Sequence, residues 1–150
     1  MSVRLATHED IKSLLVFGPT NYEKHFIDAI ARRQLWVATD QMKDAILFGY
    51  LEVAICGEHR MINKDGDCEV HRYVNIQHIE MGKSREAALA FRELVKTVRE
   101  WAQKQGVRDM KIEVEQGRAG IRWVFERVGF VMVGHIGLCQ NFKLGKTTMG

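Results

Sequence analysis

The chain has 150 residues, 46% hydrophobic and 27% charged, with one Pro and 13 Gly; this fits one globular domain with its own core and excludes low-complexity or disordered character. A formal net charge of +3 is compatible with a polyanionic ligand and too weak by itself to argue for DNA or RNA. No apolar run reaches the roughly 20 residues of a membrane span, and no basic-then-apolar leader opens the chain.

Three cysteines, Cys56, Cys68 and Cys139, are widely spaced and form no Cys-x-x-Cys pair. Neither a disulfide framework nor a structural zinc site is expected, no metal ligands are assigned, and a reducing cytoplasmic setting is the simplest reading.

In chain order, the alternation around Val3-Arg4-Leu5 predicts a short strand. Thr7 then stands as an N-cap with Asp10 at N3, opening a helix that carries Ile11, Leu14 and Leu15. Gly18-Pro19 breaks it, and a second helix is expected over residues 21–33, with Tyr22, Phe26, Ala29 and Ile30 on one face. Two extended runs, 35–39 and 45–55, read as a hairpin joined by 40–44. Residues 57–66 are polar and end in a Lys64-Asp65-Gly66-Asp67 turn, which predicts that a strand over 73–79 returns antiparallel to the 45–55 strand.

Gly82-Lys83-Ser84 closes that strand, and Ser84 is a fitting N-cap for a long helix ending near Gln105, with Gly106 beyond it. Ala87, Ala88, Phe91, Leu94, Val95, Val98, Trp101 and Ala102 make its apolar stripe. A strand over 110–114, a helix over 119–128 and a last long strand over 130–138 follow; residues 140–144 extend or pair with it, and the tail 145–150 is expected to fray. The reading is one α/β (α+β) domain over residues 1–150. Its mixed sheet has the 73–79 and 110–114 strands parallel, because a long helix crosses between them.

That order places a helix N-terminus directly after a strand, where unpaired amides and the helix dipole favour a phosphate. The segment from Arg72 to Phe130 resembles the acetyl-CoA-binding half of the GCN5-related N-acetyltransferases (GNAT). The resemblance implies a mostly antiparallel sheet flanked by helices, with a central parallel pair splayed into a V at the cofactor cleft.

The family's Gln/Arg-x-x-Gly-x-Gly/Ala loop aligns with Lys83-Ser84-Arg85-Glu86-Ala87-Ala88. It implies acetyl-CoA as cofactor, its pyrophosphate against the backbone of Met81, Gly82, Lys83, Ser84, Arg85, Ala87 and Ala88, with Lys83 or Arg85 supplying charge. Glu86 stands where the family has its central glycine, adding bulk and like charge; as structure alone, it is a favourable acid in a first helical turn.

A second family signature, a short helix ending Tyr-x-x-x-Gly-Phe, is matched by Phe125-Glu126-Arg127-Val128-Gly129-Phe130. Many members use that tyrosine to protonate the leaving thiolate; Phe125 cannot. It is left to pack the pantetheine arm or, as its preferred reading, the core. The family draws its general base from the central strands, which makes Glu69, His71, His78 and Glu80 candidates; on a regular strand His71 and His78 face opposite ways.

The departures at Glu86 and Phe125 favour a weakly active or inactive member serving as an assembly module. The chain also resembles small, divergent acetyltransferase-like proteins of tailed bacteriophages, which implies phage structural proteins as partners and a role in head assembly or in the virion. The alternative is a working acetyl-CoA-dependent N-acetyltransferase on an unidentified amine, acting mainly by positioning. Nucleic-acid binding through Arg32-Arg33 or through Arg118, Arg122 and Arg127 is the weakest reading, since acidic residues alternate with them.

Overall fold

The computed structural model describes residues 2–17, 20–40, 46–62, 64–107, 109–115, 119–136 and 139–144. The Gly18-Pro19 break, most of the 40–44 connection, Arg118 and the 145–150 tail lie outside the described residues.

Strand β1 (Ser2–Leu5) leads through a 3₁₀ turn (His8–Asp10) into helix α1 (Ile11–Phe17). Helix α2 (Glu23–Ala31) follows a second 3₁₀ turn (Thr20–Tyr22), and Arg33 closes it in the left-handed region at φ 58°. Strand β2 (Leu35–Thr39) precedes a long hairpin of β3 (Leu47–Ile62) and β4 (Cys68–Met81). Helix α3 (Arg85–Lys104) then crosses to β5 (Asp109–Glu115), followed by α4 (Ala119–Val128), β6 (Phe130–Ile136) and β7 (Cys139–Leu144).

The strands form a seven-stranded sheet in the order β1-β2-β3-β4-β5-β7-β6. Every pairing is antiparallel except β4 with β5, as the crossover helix requires. The last strand enters between β5 and β6 and pairs with both.

The hairpin is longer than the sequence implies. Residues 57–62, read as polar loop, continue β3; after a register shift between Cys56 and His59, His59 to Ile62 pair with His71 to Cys68 of β4. Beyond the reach of β2 and β5 this part is a two-stranded ribbon, whose inward-facing backbone groups pair across the hairpin.

Helices cover both faces. On one, α3 and α4 bury Phe91, Leu94, Val95, Val98, Val124 and Phe125 against Leu51, Val53, Val74, Ile76 and Ile112. On the other, α1 and α2 bury Leu14, Phe26 and Ala29 against Leu35, Val37, Leu47 and Tyr50. A β-carbon on Gly49 would stand 2.7 Å from the Glu80 carbonyl oxygen and 2.9 Å from Phe91 Cδ2, so glycine is what lets α3 lie this close to the sheet.

Candidate functional site

The parallel ladder between β4 and β5 is short. Tyr73, Val74, Asn75 and Ile76 face Asp109, Met110, Lys111 and Ile112, and there the pairing ends. Beyond it β4 pairs only with β3, and β5 only with β7. The register gives the cause on the β4 side: Val53 pairs with Ile76 and Glu52 with His78, so Gln77 is an extra residue in a bulge, which bends a strand and ends local pairing. The two strands therefore open like a V toward the start of α3.

At that mouth the Gly82 amide donates to the Phe48 carbonyl at 2.8 Å. A β-carbon on Gly82 would meet Ala87 Cβ at 3.0 Å, and one on Gly120 would meet Met81 Cε at 3.3 Å, so Met81 reaches from the end of β4 to the first turn of α4. Lys83, Ser84, Arg85 and Glu86 are exposed. Ser84 caps α3, its Oγ accepting the Ala87 amide at 3.0 Å while its carbonyl accepts the Ala88 amide at 3.1 Å. Ala87 and Ala88 are satisfied within the cap, and the first-turn amides it does not reach are those of Arg85 and Glu86. The Glu86 side chain lines a cavity of about 260 Å³ with Asp40, Phe48, Leu89, Arg92 and Glu93. Its carboxylates outnumber its single guanidinium, so it is a poor anion site.

Phe125 has no exposed surface. Its ring sits edge-on to Phe91 at 6.2 Å and to Phe130 at 5.0 Å. A side chain enclosed in this way offers nothing to a pantetheine arm, so its assignment to cofactor binding gives way to core packing.

The candidate bases separate. Glu69 and His71 lie in the ribbon part of β4, paired with Met61 and His59 and away from the V. Glu80 is half-buried near the end of β4, opposite Tyr50. His78 stands just past the last parallel pair. The Gln77 bulge also removes the regular alternation on which opposite facings of His71 and His78 were expected.

His78 has company that the sequence reading missed. Its Nε2 lies 3.6 Å from Glu52 Oε2, and His25 Nε2 from α2 lies 2.9 Å from Glu52 Oε1 and 3.1 Å from Oε2. The Glu52 side chain is only 3% exposed, against 42% for His25 and 41% for His78. Tyr22 stands against both imidazoles, with ring centroids 5.5 Å from His25 and 6.0 Å from His78. A buried carboxylate held by two imidazoles can take up or pass on a proton, and the same three groups are metal donors.

Sequence signals for both partners existed. Glu52 interrupts the apolar run from Phe48 to Ile55, and His25 falls on the stripe of Tyr22, Phe26 and Ala29 at helical spacing.

Of the arginines weighed for nucleic acid, Arg122 and Arg127 are engaged locally. Arg122 Nε pairs with Glu126 at 3.0 Å, and the Arg127 guanidinium lies 5.0 Å from the Trp123 ring centroid. Among the described residues no helix is long and apolar enough to cross a membrane.

This architecture is the GNAT fold. A GNAT-family acetyltransferase from Streptococcus agalactiae superposes with a TM-score of 0.69 at 15% identity, over 98% of this chain and 96% of the other. NAA60 from Arabidopsis thaliana, solved with a bisubstrate analogue, gives 0.71 at 16% identity over 95% of both chains. The PaiA N-acetyltransferase of Thermoplasma acidophilum, solved with coenzyme A, gives 0.70 at 11% identity, over 95% of this chain and 96% of the other. No protein-family model matches the sequence, and no curated protein sequence does.

Proposed function

We propose that the chain binds an acyl-CoA, acetyl-CoA in the first instance, in the V between β4 and β5, and transfers the acyl group slowly to an amine. The observation that carries this reading is the parallel pair that opens past Ile76 and Ile112 onto the N-terminus of α3. The pyrophosphate is assigned to the backbone from Met81 to Glu86, where Lys83 and Arg85 supply charge and the first-turn amides supply donors. The fold shared with acetyltransferases solved with coenzyme A or a bisubstrate analogue supports the acyl-CoA reading.

The slow rate follows from what the site lacks. Phe125 carries no acid and lies in the core, and general-acid help is typically worth 10²–10⁴-fold. Positioning alone still lowers the barrier.

A second reading, a non-catalytic module within a larger assembly such as a phage particle, draws support from Glu86 and from the Ser84 cap, which withdraws the Ala87 amide from any anion. A steady-state assay over small amines and peptide N-termini separates the two. Acetyl-CoA-dependent turnover about 10²–10⁴-fold below the usual ~10 s⁻¹ is expected for the first. Acetyl-CoA binding without turnover on any acceptor, or no binding at all, supports the second.

A further inference from the structure

We propose that His25, Glu52 and His78 form a binding site for a divalent transition-metal ion, zinc in the first instance.

The donors come from three packed elements, α2, β3 and β4, so the fold and not a single loop brings them together. One imidazole nitrogen from each histidine and a carboxylate oxygen of Glu52 lie within 4.8 Å of one another. Ligands of one tetrahedral zinc, bound at about 2.0–2.2 Å, stand roughly 3.4 Å apart. The separations of His25 Nε2 and His78 Nε2 from the same oxygen, Glu52 Oε2, are 3.1 Å and 3.6 Å and bracket that value. The imidazole nitrogens, no more than 4.8 Å apart, reach that spacing by a small side-chain swing, which their half-exposed side chains permit.

The electrostatics favour a cation. A carboxylate taken out of water needs a positive partner, and among the described residues Glu52 pairs with no lysine or arginine, only with the two imidazoles. Tyr22 stands against both rings, and their centroids are 5.0 Å apart at 77°. These packed contacts keep both rings beside Glu52 ahead of binding. Two nitrogen donors and one oxygen suit zinc or another transition ion in preference to magnesium or calcium, which take oxygen ligands. Three protein donors leave a position for water or another ligand, as in open zinc sites.

The inference does not depend on acyl-CoA binding. The test uses the untagged, chelator-treated full chain, titrated calorimetrically with Zn²⁺ and, separately, with Co²⁺ followed by its visible absorption. One equivalent should bind, with a tetrahedral Co²⁺ spectrum and a Zn²⁺-dependent rise in Tm. Glu52→Gln keeps the shape of the buried side chain, and His25→Ala removes a half-exposed one. Each should weaken binding about 100-fold or more, since loss of an outer-shell partner alone costs 10–100-fold.

Absence of saturable binding overturns the site, as does binding that both variants retain. Should Glu52→Gln fail to fold, His25→Ala and His78→Ala decide the matter alone. An acetyl-CoA titration of the same wild-type samples reports the acyl-CoA reading separately.

Discussion

Asp10 carries its charge almost out of contact with water, at 4% exposure. Burial is the largest influence on its carboxyl and opposes ionisation. It is outweighed by the Arg4 guanidinium, which donates at 2.7 and 2.9 Å, and by the Thr7 amide at 2.8 Å, so the carboxyl titrates below its ordinary value of 3.8. A depressed folded value means that the ionised group stabilises the fold above the unfolded value and loses that contribution as pH falls below it. Asp10→Asn should therefore lower stability by about 2 kcal/mol at neutral pH, with the Tm gap to wild type narrowing as pH drops below about 4. A constant gap across that range contradicts the assignment. The Thr7–Asp10 cap was legible in the sequence; the Arg4 pairing was not, because it joins the end of β1 to the turn after it. At Phe125 the structure makes a second prediction. Phe125→Tyr should cost about 1–3 kcal/mol for a buried hydroxyl without a partner and leave acetyl-transfer rates no higher. A gain in rate would show the ring accessible to the cofactor after all.

The elements themselves follow local rules closely. The bounds of β2 and α4 coincide with the expected runs, and α3 starts after Ser84 and ends before Gly106, whose φ of 76° marks the anticipated left-handed terminus. What periodicity could not show was the pairing of residues 59–62, which show no strict alternation, or the insertion of β7 between β5 and β6, which sequence order does not dictate. The Gln77 bulge was equally hidden, since a single extra residue leaves no mark in composition. Its effect on the candidate site is large, because it ends the parallel ladder and sets His78 opposite Glu52. Two tests belong at this scale. Gly49→Ala should destabilise by about 1–3 kcal/mol, read from denaturant midpoints, because its β-carbon would collide with the Glu80 carbonyl and Phe91. Arg33→Gly should stabilise the end of α2 by up to about 1 kcal/mol, since glycine adopts its φ of 58° without steric cost.

For the whole molecule, two departures from the family's loop and helix signatures leave the architecture untouched. Glu86 is compatible with the first turn of α3, and Phe125 fills the core between Phe91 and Phe130. Fold and chemistry are separable here, because the sheet's split depends on strand order and a bulge while the proposed cofactor contacts are a few amides and charges at α3. The most direct measurement is calorimetric titration of wild type and Glu86→Gly with acetyl-CoA, with free CoA as control and circular dichroism as a check on folding. Acetyl-CoA should bind wild type saturably and Glu86→Gly several-fold to about tenfold more tightly, since bulk and like charge are removed there. No binding to either protein, or unchanged or weaker affinity in a folded Glu86→Gly variant, would contradict the placement of the pyrophosphate at the start of α3.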